Sequence, residues 1–336
     1  MADILIGTCG WTDPALLRSG WYPPGHRDAE KRLRHYATRF PLVEADSPYY
    51  ALPAPRTTTL WAERTPPGFR FDVKAFSLLT GHRTRPATLP PDLRDHPHDE
   101  VLRTEVWTRY AEALAPLREA GRLGTLLFQY PPSLTPGQKA EAFVRAARER
   151  AHDWPFAVEF RDPAWWHPDR AARTTAFLRD LNATAVATDS PDAPPPAPVT
   201  TPHLHLIRFH GRSPHWGKGT KEERFRHAYT ERELSAWLPP IRQAAAQAEE
   251  LHILFNNCCG DAAPRAAQTL HDLVARTRDR RRPEEPREPT TAIARPRREG
   301  DVPSGVRDCC AEGAPGAGLA GEAGPARACG RVSGSP

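Results

Sequence analysis

The 336-residue chain contains no run of about 18 uncharged apolar residues, the length that a transmembrane helix requires. Residues 1–6 have neither a basic segment nor an apolar core of useful length, so we expect no secretory signal and a cytoplasmic location. Lysine is scarce, and the net charge is only +5. The sequence therefore favours neither a membrane partner nor a nucleic-acid partner, because a dedicated nucleic-acid-binding protein carries a denser basic surface.

No CxxC pair occurs among the six cysteines. Four of them form the adjacent pairs 258–259 and 309–310, and adjacent cysteines are poorly placed to bridge each other. We therefore expect reduced thiols, as in cytoplasmic proteins.

Aromatic residues are absent after Phe255, and residues 278–336 consist largely of Arg, Pro, Gly, Ala and Glu. Such a segment buries too little apolar area to offset the conformational entropy that is lost on folding. We predict a folded domain over residues 1–277 and a disordered tail over residues 278–336. The tail has 11 Arg and 9 acidic residues, a net charge of +2, which supports nucleic-acid binding only weakly.

Residues 1–277 alternate between β-rich segments and segments with helical spacing of apolar residues. Eight segments predict strands, at residues 4–8, 42–44, 69–74, 123–128, 156–160, 183–187, 205–209 and 252–255. Helices are predicted at residues 29–40, 56–64, 100–120, 136–150, 169–181 and 230–250, with a last helix that Asp261 caps and that runs to Thr277.

Alternating strands and helices indicate a parallel sheet, and eight such units in about 270 residues fit an α/β protein with a (β/α)8 TIM-like barrel. A doubly wound open sheet is the rival fold. It normally has fewer strands and a Gly-rich phosphate loop after the first strand, and residues 7–11 do not form such a loop. The sixth crossover, residues 189–202, is rich in proline and predicts an irregular loop.

Polar residues end nearly every predicted strand, where the active site of such a barrel lies. Strand alternation puts residues two apart on one face, so the pairs 44/46, 159/161 and 208/210 each point to one side. The candidate catalytic residues are Glu44, Glu159, Asp189 and His210. The candidate substrate-binding residues are Thr8, Trp11, Asp46, Lys74, Gln129, Arg161, Arg208, Arg212, Asn256 and Asn257.

The cations of this set indicate a small anionic or phosphorylated ligand, because arginine forks bind phosphate and carboxylate with paired hydrogen bonds. A carboxylate beside them stays ionised and can act as a general base, with His210 as the partner acid. The amides Gln129, Asn256 and Asn257 can orient the substrate or stabilise a developing oxyanion. Hydrolase, isomerase and lyase chemistry all fit this hypothesis of an enzyme.

Two alternatives remain open. The four candidate catalytic residues are also ligands that Zn or Mn accepts, as in a metal-dependent hydrolase or isomerase. Only one His stands at a strand end, and the neighbouring cations repel a metal ion, so we predict no cofactor and keep a divalent metal as the alternative. The second alternative is a non-catalytic ligand- or nucleic-acid-binding module that uses aromatic loop residues at the barrel rim. The oligomeric state is left open.

Motifs throughout residues 4–277 resemble those of the DUF72 (YecE-like) family. They are Gly7-Thr8-Cys9-Gly10-Trp11, Trp21-Tyr22-Pro23, Val43-Glu44, Phe71-x-Val73-Lys74-Ala75, Phe128-Gln129-x-Pro131-Pro132, Val158-Glu159-Phe160-Arg161, Asp189-Ser190-Pro191, Arg208-Phe209-His210-Gly211-Arg212 and Phe255-Asn256-Asn257. The resemblance implies a TIM barrel and carries over no activity. Many relatives have Asn-Ser-Thr-Phe-Tyr where this chain has residues 46–50, and Asp where it has Cys258.

Overall fold

A closed barrel of eight parallel strands forms the centre of the computed structural model, which describes residues 2–193, 195–216 and 218–279. The strands are β1 Asp3–Cys9, β2 Leu42–Ala45, β3 Arg70–Lys74, β4 Leu123–Tyr130, β5 Phe156–Phe160, β6 Thr184–Asp189, β7 Leu204–Phe209 and β8 Glu250–Phe255. Each strand pairs with the next along the chain, and β8 closes the barrel onto β1. The predicted (β/α)8 barrel is confirmed.

Helices surround the strands and occupy most of the predicted positions. They are α1 Pro14–Arg18, α2 Ala29–Arg39, α3 Ser47–Tyr50, α4 Pro55–Glu63, α5 Glu100–Glu119, α6 Gln138–Ala151, α7 Pro168–Asp180, α8 Lys221–Arg224, α9 Glu231–Ser235, α10 Leu238–Ala245 and α11 Ala262–Asp279. Among the described residues, none of these helices combines the length and the apolar composition that crossing a membrane requires. From residue 280 onward, the predicted disordered tail lies outside the described residues.

The predicted helix over residues 230–250 is wrong, because the structure has the two short helices α9 and α10 there, and β8 already begins at Glu250. A continuous helix would need the nitrogen of Pro239 to donate a hydrogen bond to the carbonyl of Ser235, and proline has no N–H. Pro239 lies instead in the first turn of α10, where a missing donor costs nothing. The irregular sixth crossover is as predicted, since no helix occurs between β6 and β7 among the described residues.

Apolar side chains from seven strands form one layer inside the barrel. They are Cys9, Leu42, Leu127, Ala157, Val186, Leu206 and Leu254. Polar groups lie on either side of this layer, with Asp72 and His252 toward the N-terminal ends of the strands and Glu44 and Arg208 toward the C-terminal ends. The barrel interior therefore holds two separate charged groups.

Candidate functional site

Arg208 on β7 is the centre of a buried ion-pair network in the C-terminal half of the barrel. Its Nε and Nη2 donate to the two carboxylate oxygens of Glu44 at 2.8 and 2.5 Å. Its Nη1 donates to Glu159 Oε2 at 2.5 Å and to Gln129 Oε1 at 3.2 Å. The three charged side chains have no exposed surface. Removing such charges from water costs several kcal/mol per ion, so we expect the loss of one partner to destabilise the fold strongly.

A second set of side chains covers Glu159 from the mouth. Its Oε1 lies 2.9 Å from Arg161 Nη1 and 3.2 Å from His210 Nε2. On the other side of the imidazole, Asn256 Nδ2 is 3.0 Å from His210 Nδ1. The hydrogen bonds are all satisfied when Asn256 donates to Nδ1 and Nε2 donates to Glu159. Trp216 closes this side of the mouth, with its ring 4.7 Å from the Arg161 guanidinium carbon.

The pKa values of the two buried carboxyl groups move in opposite directions. Burial disfavours ionised Glu159, but the charge of Arg208 and the contact with His210 outweigh it and leave the pKa of Glu159 well below its usual range. Burial raises the pKa of Glu44 to about 8, although Arg208 opposes the change. Burial also lowers the pKa of His210 to about 4, so this imidazole is neutral at neutral pH. Two carboxyls with separated pKa values are typical of acid–base sites.

A cavity of about 480 Å³ opens at the C-terminal ends of β1, β2, β3 and β8. Predicted site residues in its wall are Trp11, Asp46, Lys74 and Asn256, and Cys9, Tyr50, Arg64, Phe225 and Cys258 are among its other lining residues. Lys74 Nζ lies 3.6 Å from Asp46 Oδ1. The volume and the mixture of aromatic and charged walls suit a small-molecule ligand.

Asp189 and Arg212 are not brought to this cavity. The carboxylate of Asp189 accepts hydrogen bonds from Arg212, from the Tyr229 hydroxyl at 2.9 Å and from the Trp237 indole at 2.7 Å. Burial raises its pKa, but these donors outweigh burial and leave the pKa below its usual value. Asp189 anchors the segment that follows β7, so it does not join Glu44 and Glu159 in one catalytic set.

Thr8 and Asn257 also point away from the barrel interior. The Thr8 hydroxyl lies 2.9 Å from the Tyr36 hydroxyl of α2 and donates to the carbonyl of Gly10. Asn257 is buried and donates to the carbonyl of His227. Both residues hold loops in place, and neither lines the cavity.

The metal alternative finds no assembled ligand set. Within residues 2–193, 195–216 and 218–279, no three or more His, Cys, Asp or Glu side chains are grouped to hold an ion. Arg208 binds both oxygens of Glu44, and Asp189 lies on the other face of the sheet. The donor atoms at the strand ends thus fit an arginine better than a divalent cation.

Sequence reasoning missed Arg64 and His82, since neither of them ends a strand, whereas Trp216 was among the aromatic loop residues expected at the rim. Arg64 follows α4 and lines the cavity, while His82 lies in the long loop after β3. Their sequence positions could have indicated them, because both lie in segments that follow a strand. Such segments supply the site residues of a barrel.

The closed barrel and the polar groups at its C-terminal ends define a (β/α)8-barrel protein with a candidate ligand site at the mouth. Residues 5–291 match the family model described as "Protein of unknown function DUF72", and the chain belongs to this family. The UPF0759 protein YunF of Bacillus subtilis (strain 168) is 30% identical over 282 residues, which are 80% of this chain and 94% of that protein. The UPF0759 protein YecE of Escherichia coli (strain K12) is 28% identical over 206 residues, 61% of this chain and 64% of that protein.

Solved structures of DUF72 family proteins share the fold. The protein from Thermotoga maritima MSB8 superimposes with a TM-score of 0.65 at 28% identity, covering 81% of this chain and 99% of that chain. A structure from Enterococcus faecalis V583 gives a TM-score of 0.69 at 24% identity, covering 81% of this chain and 95% of that chain. The architecture is therefore that of the family.

Proposed function

We propose that the protein is an enzyme that binds a small anionic or phosphorylated ligand at the C-terminal mouth of the barrel and acts on it by acid–base catalysis. The observation that carries this proposal is the cavity at the mouth, whose wall contains the cations Lys74 and Arg64. Its wall also contains Cys9 and Asp46, which are neighbours of Glu44. A cytoplasmic location stays a prediction from the sequence.

Lys74 and Arg161 supply positive charge at the mouth. Lys74 is 13% exposed and Arg161 is 21% exposed, so water screens their charges less than it screens surface charges. Each has a carboxylate neighbour, Asp46 and Glu159 respectively, that holds the side chain in position. An ammonium group and a guanidinium fork held in this way are the groups that bind phosphate and carboxylate oxygens.

Glu44, which is buried behind the cavity residues Cys9 and Asp46 and does not itself line the cavity, is the acid–base group of this proposal. Its pKa of about 8 allows it to exchange a proton near neutral pH, whereas Glu159 stays ionised. Neutral His210 holds Glu159 and binds Asn256, which itself lines the cavity and can orient the ligand. Proton transfer of this kind serves hydrolysis, isomerisation and elimination, which are the reaction classes that we propose.

Lys74→Met is expected to weaken the binding of inorganic phosphate at least 10-fold, because the substitution removes the ammonium charge and keeps the aliphatic length. Titration calorimetry at low ionic strength measures the dissociation constant. The matched control is Lys139→Met on the exposed face of α6, which is expected to leave binding unchanged. Equal phosphate affinity in the two variants would overturn the anion-binding proposal.

Glu44→Gln is expected to lower turnover at least 100-fold while substrate binding changes less than 3-fold, since the amide keeps the shape but cannot exchange a proton. A panel of phosphorylated metabolites, assayed for release of phosphate and for isomerisation, supplies the substrate. Glu63→Gln, on the exposed end of α4, is the control. Full activity of Glu44→Gln would show that another group transfers the proton.

A further inference from the structure

His82 lies in the loop after β3, the strand that ends in Lys74. The loop makes a 3₁₀ turn over Ser77–Thr80 and then passes through Gly81, whose φ of 74° is left-handed. This turn brings the Thr80 hydroxyl to 2.8 Å from His82 Nδ1 and so fixes the imidazole ring. Within the part of the chain that the structure describes, Nε2 has no hydrogen-bond partner and is the ring nitrogen left for a ligand.

Tyr49 joins His82 to Lys74. The Tyr49 and His82 rings are 5.2 Å apart and nearly perpendicular. Lys74 Nζ lies 4.6 Å from the centre of the same Tyr49 ring. One aromatic side chain therefore contacts both the ammonium group and the imidazole, and it sets their spacing at the mouth.

The surroundings of His82 are cationic. Burial and, to a smaller extent, the positive charges of Lys74 and Arg161 together lower its pKa to about 4. Among the described residues, the charged groups that act on this imidazole are these two cations, although Asp46 offsets part of the Lys74 charge and Glu159 part of the Arg161 charge. A neutral imidazole beside two cations is a place where a bound anion is favoured.

We propose that Lys74 and His82, on the two sides of the Tyr49 ring, form an oxyanion subsite at the β3 side of the mouth, which takes the phosphate or carboxylate group of the ligand, with Arg161 adding positive charge from β5. The inference rests on the proposed function and names the residues that hold the charged end of its ligand. Lys74 and Arg161 supply the charge. His82 supplies a hydrogen-bond donor at Nε2 when it is protonated, because the Thr80 hydroxyl donates to the Ser77 carbonyl and accepts from Nδ1.

Anion binding at this subsite is coupled to proton uptake. A bound oxyanion offsets the charges of Lys74 and Arg161, so it raises the pKa of His82. By linkage, the anion then binds more tightly as the pH falls toward the pKa of the ligand-free protein. His210 also has a pKa of about 4 and its Nε2 lies 3.2 Å from Arg161 Nη1, so its signal is followed together with that of His82 to assign the coupling.

Sulfate is the probe for this coupling, because its charge does not change between pH 4 and pH 8. The pKa of each histidine is followed by NMR of the imidazole Cε1–H signals, with and without sulfate at constant ionic strength. We expect sulfate to raise the pKa of His82 by at least 1. His205 is the internal control, since burial also lowers its pKa to about 4 but it lies in β7, where no charged neighbour contributes to the lowering.

His82→Gln is expected to weaken sulfate binding at pH 5 about 2-fold or more and to remove most of the pH dependence. His96→Gln, exposed in the same loop, is the matched control, and an unchanged pKa of His205 shows that the barrel is folded. Sulfate binding that requires Lys74 but leaves the pKa of His82 unmoved overturns this inference and leaves the proposed function standing. Wild-type protein that binds neither sulfate nor phosphate overturns both.

Discussion

Replacing Arg208 with methionine is expected to lower the free energy of unfolding by about 3–5 kcal/mol, because ionised Glu159 then remains buried without its cation. The substitution keeps most of the side-chain volume, so the loss reports charge rather than packing. Urea unfolding followed by tryptophan fluorescence at pH 7 measures it. Arg208→Lys keeps the charge but cannot donate to both carboxylates with a planar fork, and we expect an intermediate loss.

The control for Arg208 is Arg109→Met, which removes an exposed guanidinium that pairs with Asp92 and Glu105. Exposed pairs contribute about 0–1 kcal/mol. Adding Glu159→Gln to Arg208→Met is expected to recover part of the loss, since the unpaired carboxylate disappears. If Arg208→Met lowers the free energy of unfolding no more than Arg109→Met does, the Arg208 network does not stabilise the C-terminal end of the barrel.

His252→Gln is expected to lower the free energy of unfolding by about 3 kcal/mol at pH 6 and much less above pH 9, because a buried charged imidazole is lost. His252 Nδ1 lies 3.0 Å from the Asp72 carboxylate, and Nε2 lies 3.2 Å from Glu250. Burial lowers the pKa of His252, but the two carboxylates outweigh burial and raise it to about 9. A pKa that is higher by 1 in the folded protein than in the unfolded chain corresponds to about 1.4 kcal/mol of stabilisation of the charged form.

The pH window follows from the direction in which the pKa moves. A raised pKa stabilises the folded protein fully below the unfolded pKa of about 6.5, and the contribution is lost as the pH rises through the folded value of about 9. Denaturant titrations between pH 6 and pH 10 measure it. His203→Gln removes an exposed imidazole that pairs with Glu249 and is expected to have a small effect. A constant difference between wild type and His252→Gln at all pH values would contradict a charged His252.

The same Asp72–His252 pair explains a glycine inside the barrel. A Cβ on Gly124 would collide with the Asp72 carboxylate and lie 2.9 Å from His252 Cε1. The pair therefore occupies the space that a side chain at position 124 would need. No sequence pattern connects the three positions, because they come from β3, β4 and β8.

Much of the fold was predictable because local sequence patterns are sufficient to locate its strands and helices. Apolar spacing and turn residues mark each β and α segment, and eight alternating units have few ways to pack other than a barrel. Lys74, Asp46 and Asn256 were also expected at the mouth, since they end strands whose C-terminal ends meet there. The exception is residues 230–250, where helical spacing continued through two prolines that break the helix.

The face to which a residue points was less predictable. Parallel strands are buried on both sides, so the segment Ile4–Leu5–Ile6 shows no alternation between apolar and polar residues. Thr8 was therefore predicted as a site residue because it lies near a strand end. Its hydroxyl instead binds Tyr36, which is in the helical layer outside the barrel. Asp189 was selected for the same reason, and its carboxylate faces Tyr229 and Trp237.

The sequence by itself determined the barrel, the end at which the site lies and the residue types available there. Only the tertiary structure decided which of them pair: Arg208 binds Glu44, 164 positions away in the chain, and Glu159, 49 positions away. It also decided that the pKa values of Glu44 and Glu159 move in opposite directions and that His82 and Lys74 contact the same Tyr49 ring. The reason is physical, because burial and charge pairing depend on distances between strands, which closure of the barrel sets and no local pattern encodes.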